Sequence, residues 1–169
     1  MESRIQRKFE DLKNKNEKAL IPYITCGDPD LNTTMELIKT LEQAGADIVE
    51  LGIPYSDPLA DGPIIQRAAQ RALKNSITID DIFSEVAQVR KDTEIPLVFL
   101  VYYNSVFRYG TERFLKNCLE RGIDGLIIPD LPLEERQDLY EQMSAYPIDL
   151  IPMVAPTSEE RIEKIVQVG

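Results

Sequence analysis

Short apolar runs alternate along the chain with segments whose apolar residues recur every three or four positions. Ile5, Phe9 and Leu12 form one stripe and predict an amphipathic helix over 3–14. Met35, Ile38 and Leu41 do the same over 31–44, with Gly45 just past the end as a stop. Further helices are predicted at 63–73, 79–90, 112–121, 133–145 and 159–168. The runs between them, at 19–25, 47–53, 96–102, 125–129 and 149–154, are nearly continuous in apolar residues and predict strands. Strands apolar on both faces, each followed by a helix, imply a parallel sheet covered by helices. The pattern is a leading helix and then βα five times, in one domain over 1–169 with no linker or low-complexity tract. A doubly wound sheet and a barrel both satisfy it. Neither GxGxxG nor GxxxxGK[ST] occurs, so the dinucleotide and P-loop routes lack their motifs.

One polar residue breaks the pattern. In the strand at 47–53, Ile48, Glu50 and Gly52 share a face. The stretch GADIVELGIP (45–54) aligns with GIDGLIIPDL (122–131), Gly on Gly and Asp on Asp, and there Glu50 falls opposite Ile127. A carboxyl in a strand covered on both faces is buried or nearly so. Desolvation then raises its pKa toward neutrality and makes it a usable proton donor and acceptor. The alternative is a structural carboxylate held by backbone or a basic partner. Its place near the C-terminal end of a parallel strand, where active sites of such folds gather, favours chemistry. Asp57 and Asp61 follow in the loop PYSDPLADGP. Alone, Asp61 reads as a cap for the helix at Pro63 and Asp57 as an Asx-turn before Pro58. Two carboxylates directly beyond an inward Glu shift both toward a site.

Composition narrows the chemistry. The chain of 169 residues has a net charge of -10, which disfavours nucleic acid as a partner. It has no histidine, which removes Ser-His-Asp machinery and most zinc sites and leaves acid–base work to Asp, Glu, Tyr, Lys or Cys. Cys26 and Cys118 form no CxxC and read as reduced thiols of a cytoplasmic protein. The N-terminus lacks the apolar core of a signal peptide, and no apolar run is long enough to span a membrane.

The run VELGIPYSDPLADGPIIQRA resembles the tryptophan synthase alpha chain family, and the likeness continues through PYITCGDPD, PLVFLVYYN and GIDGLIIPDLPLEE across essentially the whole chain. The resemblance implies a (β/α)8 TIM barrel. It also implies retro-aldol cleavage of indole-3-glycerol phosphate to indole and glyceraldehyde 3-phosphate, without metal or organic cofactor, in tryptophan biosynthesis. By similarity Glu50 is the catalytic acid–base group and Asp61 the carboxylate that meets the indole N–H. Asp57 serves communication with a beta subunit in an α2β2 assembly. Tyr23, Ile65, Leu100, Ile127, Pro129 and Met153 match the apolar indole slot, with Tyr102 as a neighbour; otherwise such residues are barrel core. The family also accepts an aromatic without a hydroxyl where Tyr23 stands.

A (β/α)8 barrel typically takes about 250 residues. Residues 1–169 are therefore expected to hold only the first five βα units, a fragment of a longer protein or an incomplete copy. The phosphate-binding residues are expected to lie outside them, and this stretch alone is expected to be inactive. The rival readings are a non-catalytic partial barrel that keeps the docking surface for the beta subunit, a free-standing indole-releasing lyase, and another phosphate-ester barrel enzyme.

Overall fold

In the computed structural model, which describes residues 3–166, the apolar runs become five parallel strands: β1 (Tyr23–Thr25), β2 (Val49–Gly52), β3 (Leu97–Leu100), β4 (Gly125–Ile127) and β5 (Asp149–Leu150). Each pairs with the next in chain order. A doubly wound sheet reverses its strand order at a switch point. No reversal occurs among these strands, so that alternative falls away. Eight α-helices accompany them among the described residues: α1 (Arg4–Lys15), α2 (Leu31–Gln43), α3 (Pro63–Leu73), α4 (Ile79–Val89), α5 (Tyr103–Tyr109), α6 (Thr111–Arg121), α7 (Gln137–Met143) and α8 (Ile162–Val166).

Register sorts the strand residues onto two faces. Ile24, Leu51, Phe99, Leu126 and Leu150 lie in one row. Leu51, Phe99 and Leu126 are fully buried there against Ile38 of α2, Phe83 of α4, Phe114 of α6 and Leu139 of α7. Each such side chain contributes roughly 1.5–3 kcal/mol, so this face holds the sheet to its helices. The rows on either side point the other way. One contains Tyr23, Glu50, Val98, Gly125 and Asp149; the next contains Thr25, Gly52, Leu100 and Ile127. The second face has a much smaller apolar cluster, Ile5, Ile48 and Val98, with Ile127 and Ile151 against it.

Helix α1 closes the N-terminal end of that second face. Its start is fixed by a capping box between Ser3 and Gln6. Ile5 then packs on Gly125, where an added Cβ would come within 3.0 Å of the Ile5 Cδ1. Polar contacts anchor the helix to residues at or beside three strand entries: Lys8 to Asp47 at 3.6 Å, Arg4 to Asp124 at 3.0 Å, and Ser3 Oγ donating to Asp149 at 2.8 Å. Asp124 is buried and also accepts from Arg90 Nη2 at 2.7 Å and Leu97 N at 2.8 Å.

The strands are shorter than the apolar runs that predict them. In 19–25 the ladder is broken by Pro22, which has no N–H, although its carbonyl still accepts from Glu50 N at 2.9 Å. Beyond β5, Ile151 N still reaches Leu126 O at 2.8 Å, and Pro152 follows. Helix α5 is absent from the predicted pattern, which assigns no element between the strand ending at Tyr102 and the helix at 112; its aromatic-rich sequence YNSVFRY carries little helical signal. The helix predicted over 133–145 divides into a 3₁₀ turn, Leu133–Glu135, and α7. The one predicted over 159–168 becomes a 3₁₀ segment, Pro156–Arg161, and α8; its last two residues lie outside the described ones.

Candidate active site

Glu50 is the second residue of β2 and sits on the face away from the helices, level with Tyr23 and Val98. It is half-buried rather than buried as expected, because the face it occupies is the sparsely packed one. Burial still pushes its carboxyl above the usual carboxylate range. The register adds a detail to the internal alignment. Glu50 shares its row with Gly125, two residues before Ile127 and on the same face.

The Tyr23 ring lies across the neighbouring strand. Its hydroxyl accepts from Thr25 Oγ1 at 3.3 Å, and a Cβ built on Gly52 would be 2.0 Å from it. Gly52 is thus the space that lets Tyr23 reach over β2. Burial pushes the Tyr23 hydroxyl up to about 12, and the nearby charges of Asp61 and Glu50 act in the same direction. Tyr23 and Glu50 are register partners, and Asp61 lies on the loop that follows β2.

Asp61 is half-buried, and burial raises its carboxyl, with the nearby Tyr102 hydroxyl acting the other way. It does not cap α3. The cap residue is Gly62, which has no side chain to give, and Pro63 starts the helix without an N–H. The loop is held instead by Ala60 N donating to the Tyr102 hydroxyl at 3.0 Å and by Gln66 Nε2 donating to the Asp61 carbonyl at 2.8 Å. Asp57 stands apart from this group. It is exposed and accepts from the hydroxyl of its neighbour Ser56 at 2.5 Å.

The other predicted slot residues divide. Leu100 and Ile127 share the row of Gly52, and Ile127 packs on the Ile5, Ile48 and Val98 cluster. Ile65 on α3 and Pro129 beyond β4 are half-buried. Met153, beyond β5, is 51% exposed. Tyr102 is 2% exposed, so its ring belongs to the interior and only its hydroxyl meets the loop. Gly52 and Gln66 were not singled out from the sequence. Gly52 becomes legible only once the Thr25–Gly52 pairing is known. A groove of about 350 Å³ lined by Tyr55, Asp80, Asn104 and Arg108 lies nearby, and Glu50 and Asp61 are not among its lining residues. Among the described residues no group of three His, Cys, Asp or Glu side chains could hold a metal ion, and no helix is long and apolar enough to cross a membrane. Cys26 and Cys118 are both buried and free, and burial pushes the Cys26 thiol up to about 12.

A half-buried carboxyl with a raised pKa, a second carboxyl on the next loop and an apolar row beside them can exchange a proton with a ligand and pair with a cation developing in it. Comparison with known proteins gives this arrangement a context. The model of the tryptophan synthase alpha chain family matches residues 9–169. The chain is 64% identical over 167 residues to the tryptophan synthase alpha chain of Alkaliphilus metalliredigens, covering 99% of this chain and 63% of that one. It is 58% identical over 167 residues to that of Thermoanaerobacter sp. (strain X514), covering 99% and 64%. A crystal structure of the tryptophan synthase alpha chain from Legionella pneumophila superposes with a TM-score of 0.93 at 40% identity, over 99% of this chain and 63% of that one. A chain from the tryptophan synthase α2β2 complex of Pyrococcus furiosus superposes with a TM-score of 0.85 at 36% identity, over 89% and 64%. The chain spans 63% and 64% of the length of these two curated relatives.

Proposed function

The chain belongs to the tryptophan synthase alpha chain family, and from that premise we propose that it serves the retro-aldol cleavage of indole-3-glycerol phosphate to indole and glyceraldehyde 3-phosphate. The observation that carries this reading is the half-buried Glu50 on β2, its carboxyl raised by burial and its register partner Tyr23 on β1, with the half-buried Asp61 on the loop just beyond the same strand.

In the proposed reaction Glu50 delivers a proton to C3 of the indole. Positive charge then spreads toward the ring nitrogen, and the carboxylate of Asp61 accepts the N–H and stabilises that charge. The Glu50 carboxylate, now free of its proton, takes one from the side-chain hydroxyl next to the ring. The C–C bond breaks, its electron pair returns to the indole, and the hydroxyl carbon becomes the aldehyde. One group does both transfers, so a pKa raised toward neutrality suits it better than an ordinary carboxylate value. Leu100 and Ile127 offer the indole an apolar wall, with Ile65, Pro129 and Met153 as further slot residues. No metal or organic cofactor enters this scheme.

The five strands are read as the first five of an eight-stranded TIM barrel. Their unbroken sequential order and the greater length of the relatives support that reading. The surface near loop 54–62 is proposed to dock a beta subunit, with the exposed Asp57 offering its charge to a basic partner residue. The cytoplasm is the proposed compartment.

The test is incubation of the full-length protein, with the strands beyond the fifth, with indole-3-glycerol phosphate, reading indole and glyceraldehyde 3-phosphate in equal amounts. The beta subunit is added in a second arm for wild type and Asp57→Ala. Release of neither product in either arm rejects the reaction. Equal stimulation of both proteins removes Asp57 from the coupling.

A further inference from the structure

We propose that Tyr23 is a specificity-determining residue, whose hydroxyl closes the space above Gly52 and so restricts the indole slot to rings that carry no substituent at that point. The proposal rests on the reading of Leu100 and Ile127 as a wall of the slot. Tyr23 shares its sheet face with Glu50, its register partner. Its ring runs toward the C-terminal ends of the strands and stops over Gly52, two residues beyond Glu50. A Cβ built on Gly52 would lie 2.0 Å from the tyrosine oxygen, 2.5 Å from Cζ and 2.7 Å from Cε2. The far edge of Tyr23 therefore stands where residue 52 would put a side chain of its own. Thr25, Gly52, Leu100 and Ile127 are level across four strands, and of these Gly52 alone brings no side chain. The Tyr23 hydroxyl completes the row. It leaves a closed, hydroxyl-lined corner at β1 and β2 beside an apolar wall at β3 and β4.

The corner is built to hold its shape. Gly52 O accepts from Cys26 N at 2.9 Å and Leu100 O accepts from Ile53 N at 2.9 Å, so the backbone at the level of the hydroxyl is laddered on both sides. Thr25 is buried, and its Oγ1 donates to the Tyr23 hydroxyl at 3.3 Å, which holds the oxygen from the side. The loop after β1 is braced by α3. Arg71 Nε and Nη2 donate to Asp28 Oδ1 and Oδ2 at 2.8 and 2.7 Å, and Asn75 Nδ2 donates to Pro29 O at 2.6 Å. Beneath the ring lies glycine backbone, which cannot swing aside as the end of a flexible side chain would. Tyr23 is only half-buried and lies on the sparsely packed face, so its edge is open to a ligand. A firm apolar slot discriminates against one extra carbon by about 10–200-fold. A hydroxyl that served Thr25 alone would affect stability and leave the choice of ring untouched.

The test uses the full-length protein, with the strands beyond the fifth. Its kcat/KM is measured for indole-3-glycerol phosphate and for the 4-, 5-, 6- and 7-methyl derivatives. Each is expressed as a ratio to the parent compound, so that a general change in activity cancels. Wild type should reject at least one isomer by about tenfold or more, and Tyr23→Phe, which removes only the hydroxyl, should relax that rejection by about fivefold to tenfold. Tyr23→Ala should relax it further. Adding Gly52→Ala to Tyr23→Ala puts a methyl 2.0 Å from the lost oxygen and should restore part of the rejection. Affinities for indole and the four methylindoles, by calorimetry, give the same ratios without turnover. If wild type binds indole and cleaves nothing, the proposed reaction fails and the affinity ratios decide. The proposal is overturned by a wild type that binds no indole or accepts every isomer alike. It is equally overturned by unchanged ratios in Tyr23→Phe, or by a double variant no more selective than Tyr23→Ala.

Discussion

The Tyr23 ring occupies the volume that a side chain at residue 52 would fill, with its hydroxyl 2.0 Å from where a Gly52 Cβ would be. Two adjacent strands are thereby matched, an aromatic on β1 and a vacancy on β2, two rows beyond the Tyr23–Glu50 pairing and on the same face. Gly52→Ala forces one of the two to move. Overpacking of this kind costs about 1–3 kcal/mol, and about 2–4 °C of Tm per kcal/mol for a domain of this size. Tyr23→Ala in the same chain should recover part of the loss. Urea unfolding of the two single variants and the double checks this, and simple addition of the two losses would refute the shared volume.

Glu50→Gln should leave the fold in place and lower indole release by about 10²–10⁴-fold, the usual worth of a general acid–base group. The same variant carries a stability prediction whose sign follows from the raised pKa. Folding favours the protonated form of Glu50. Its contribution to stability is therefore fully present below the ordinary Glu value and is lost as pH rises through the higher folded value. At neutral pH glutamine should stabilise the protein, and at pH 3–4 the advantage should vanish. Solvent screening of a half-buried group limits the gain to at most about 1 kcal/mol. Thermal unfolding across that range measures it, and a wild type that gains stability relative to the variant as pH rises from 4 to 7 would contradict the burial argument.

Asp61→Asn should separate activity from stability. Gly62 caps α3 and no side-chain cap exists to lose, so the change in unfolding free energy should stay within about 0.5 kcal/mol. Turnover should fall with the lost charge. Paired calorimetry and kinetics decide, and a destabilised variant with intact kcat would return Asp61 to a structural role.

The parts of the site visible in the sequence were those that broke a local rule. Glu50 stood out because it interrupts an apolar run at a position whose counterpart in the internal alignment is Ile127, and Asp61 because a second acid followed in a proline-rich loop. The missing parts depend on register and on contacts between loops. Nothing local marks Gly52 as different from any other strand glycine until Thr25 is placed beside it and Tyr23 is seen two residues away. Tyr102 read only as a neighbour of the slot residues, whereas its hydroxyl accepts from the backbone of a loop 42 positions earlier. Helix α5 was hidden by its own composition, since aromatic and β-branched residues favour strands until tertiary packing overrides them. The depth of Glu50 was overestimated for a related reason. A parallel strand was taken as covered equally on both sides, and here one side carries only a small apolar cluster.

Asp124 holds the N-terminal ends of the strands together, and its variants should rank by what they leave unpaired. Asp124→Ala strands the buried Arg90 guanidinium and the Leu97 N–H, a loss of about 3–5 kcal/mol. Asp124→Asn keeps an acceptor for Leu97 and should cost less. Arg4→Ala removes only a partly exposed partner and should cost least. Urea midpoints of the three give the order, and a severe Arg4→Ala with a mild Asp124→Ala would invert the account.

The docking of α1 has a consequence for how the polypeptide is made. The helix is synthesised before its partners Asp47, Asp124 and Asp149, which arrive in succession, the last of them 146 positions after Ser3. Strands that pair in chain order can join the sheet one at a time as they are synthesised. The helix cannot complete its seat until the fifth has appeared. During that interval the Ile5 side chain and the floor formed by Gly125 face water, and closing so long a loop is entropically slow. Helix α1 is thus made before the strands it seats on yet settles after them, and substitutions along it should show themselves in the yield of folded chain.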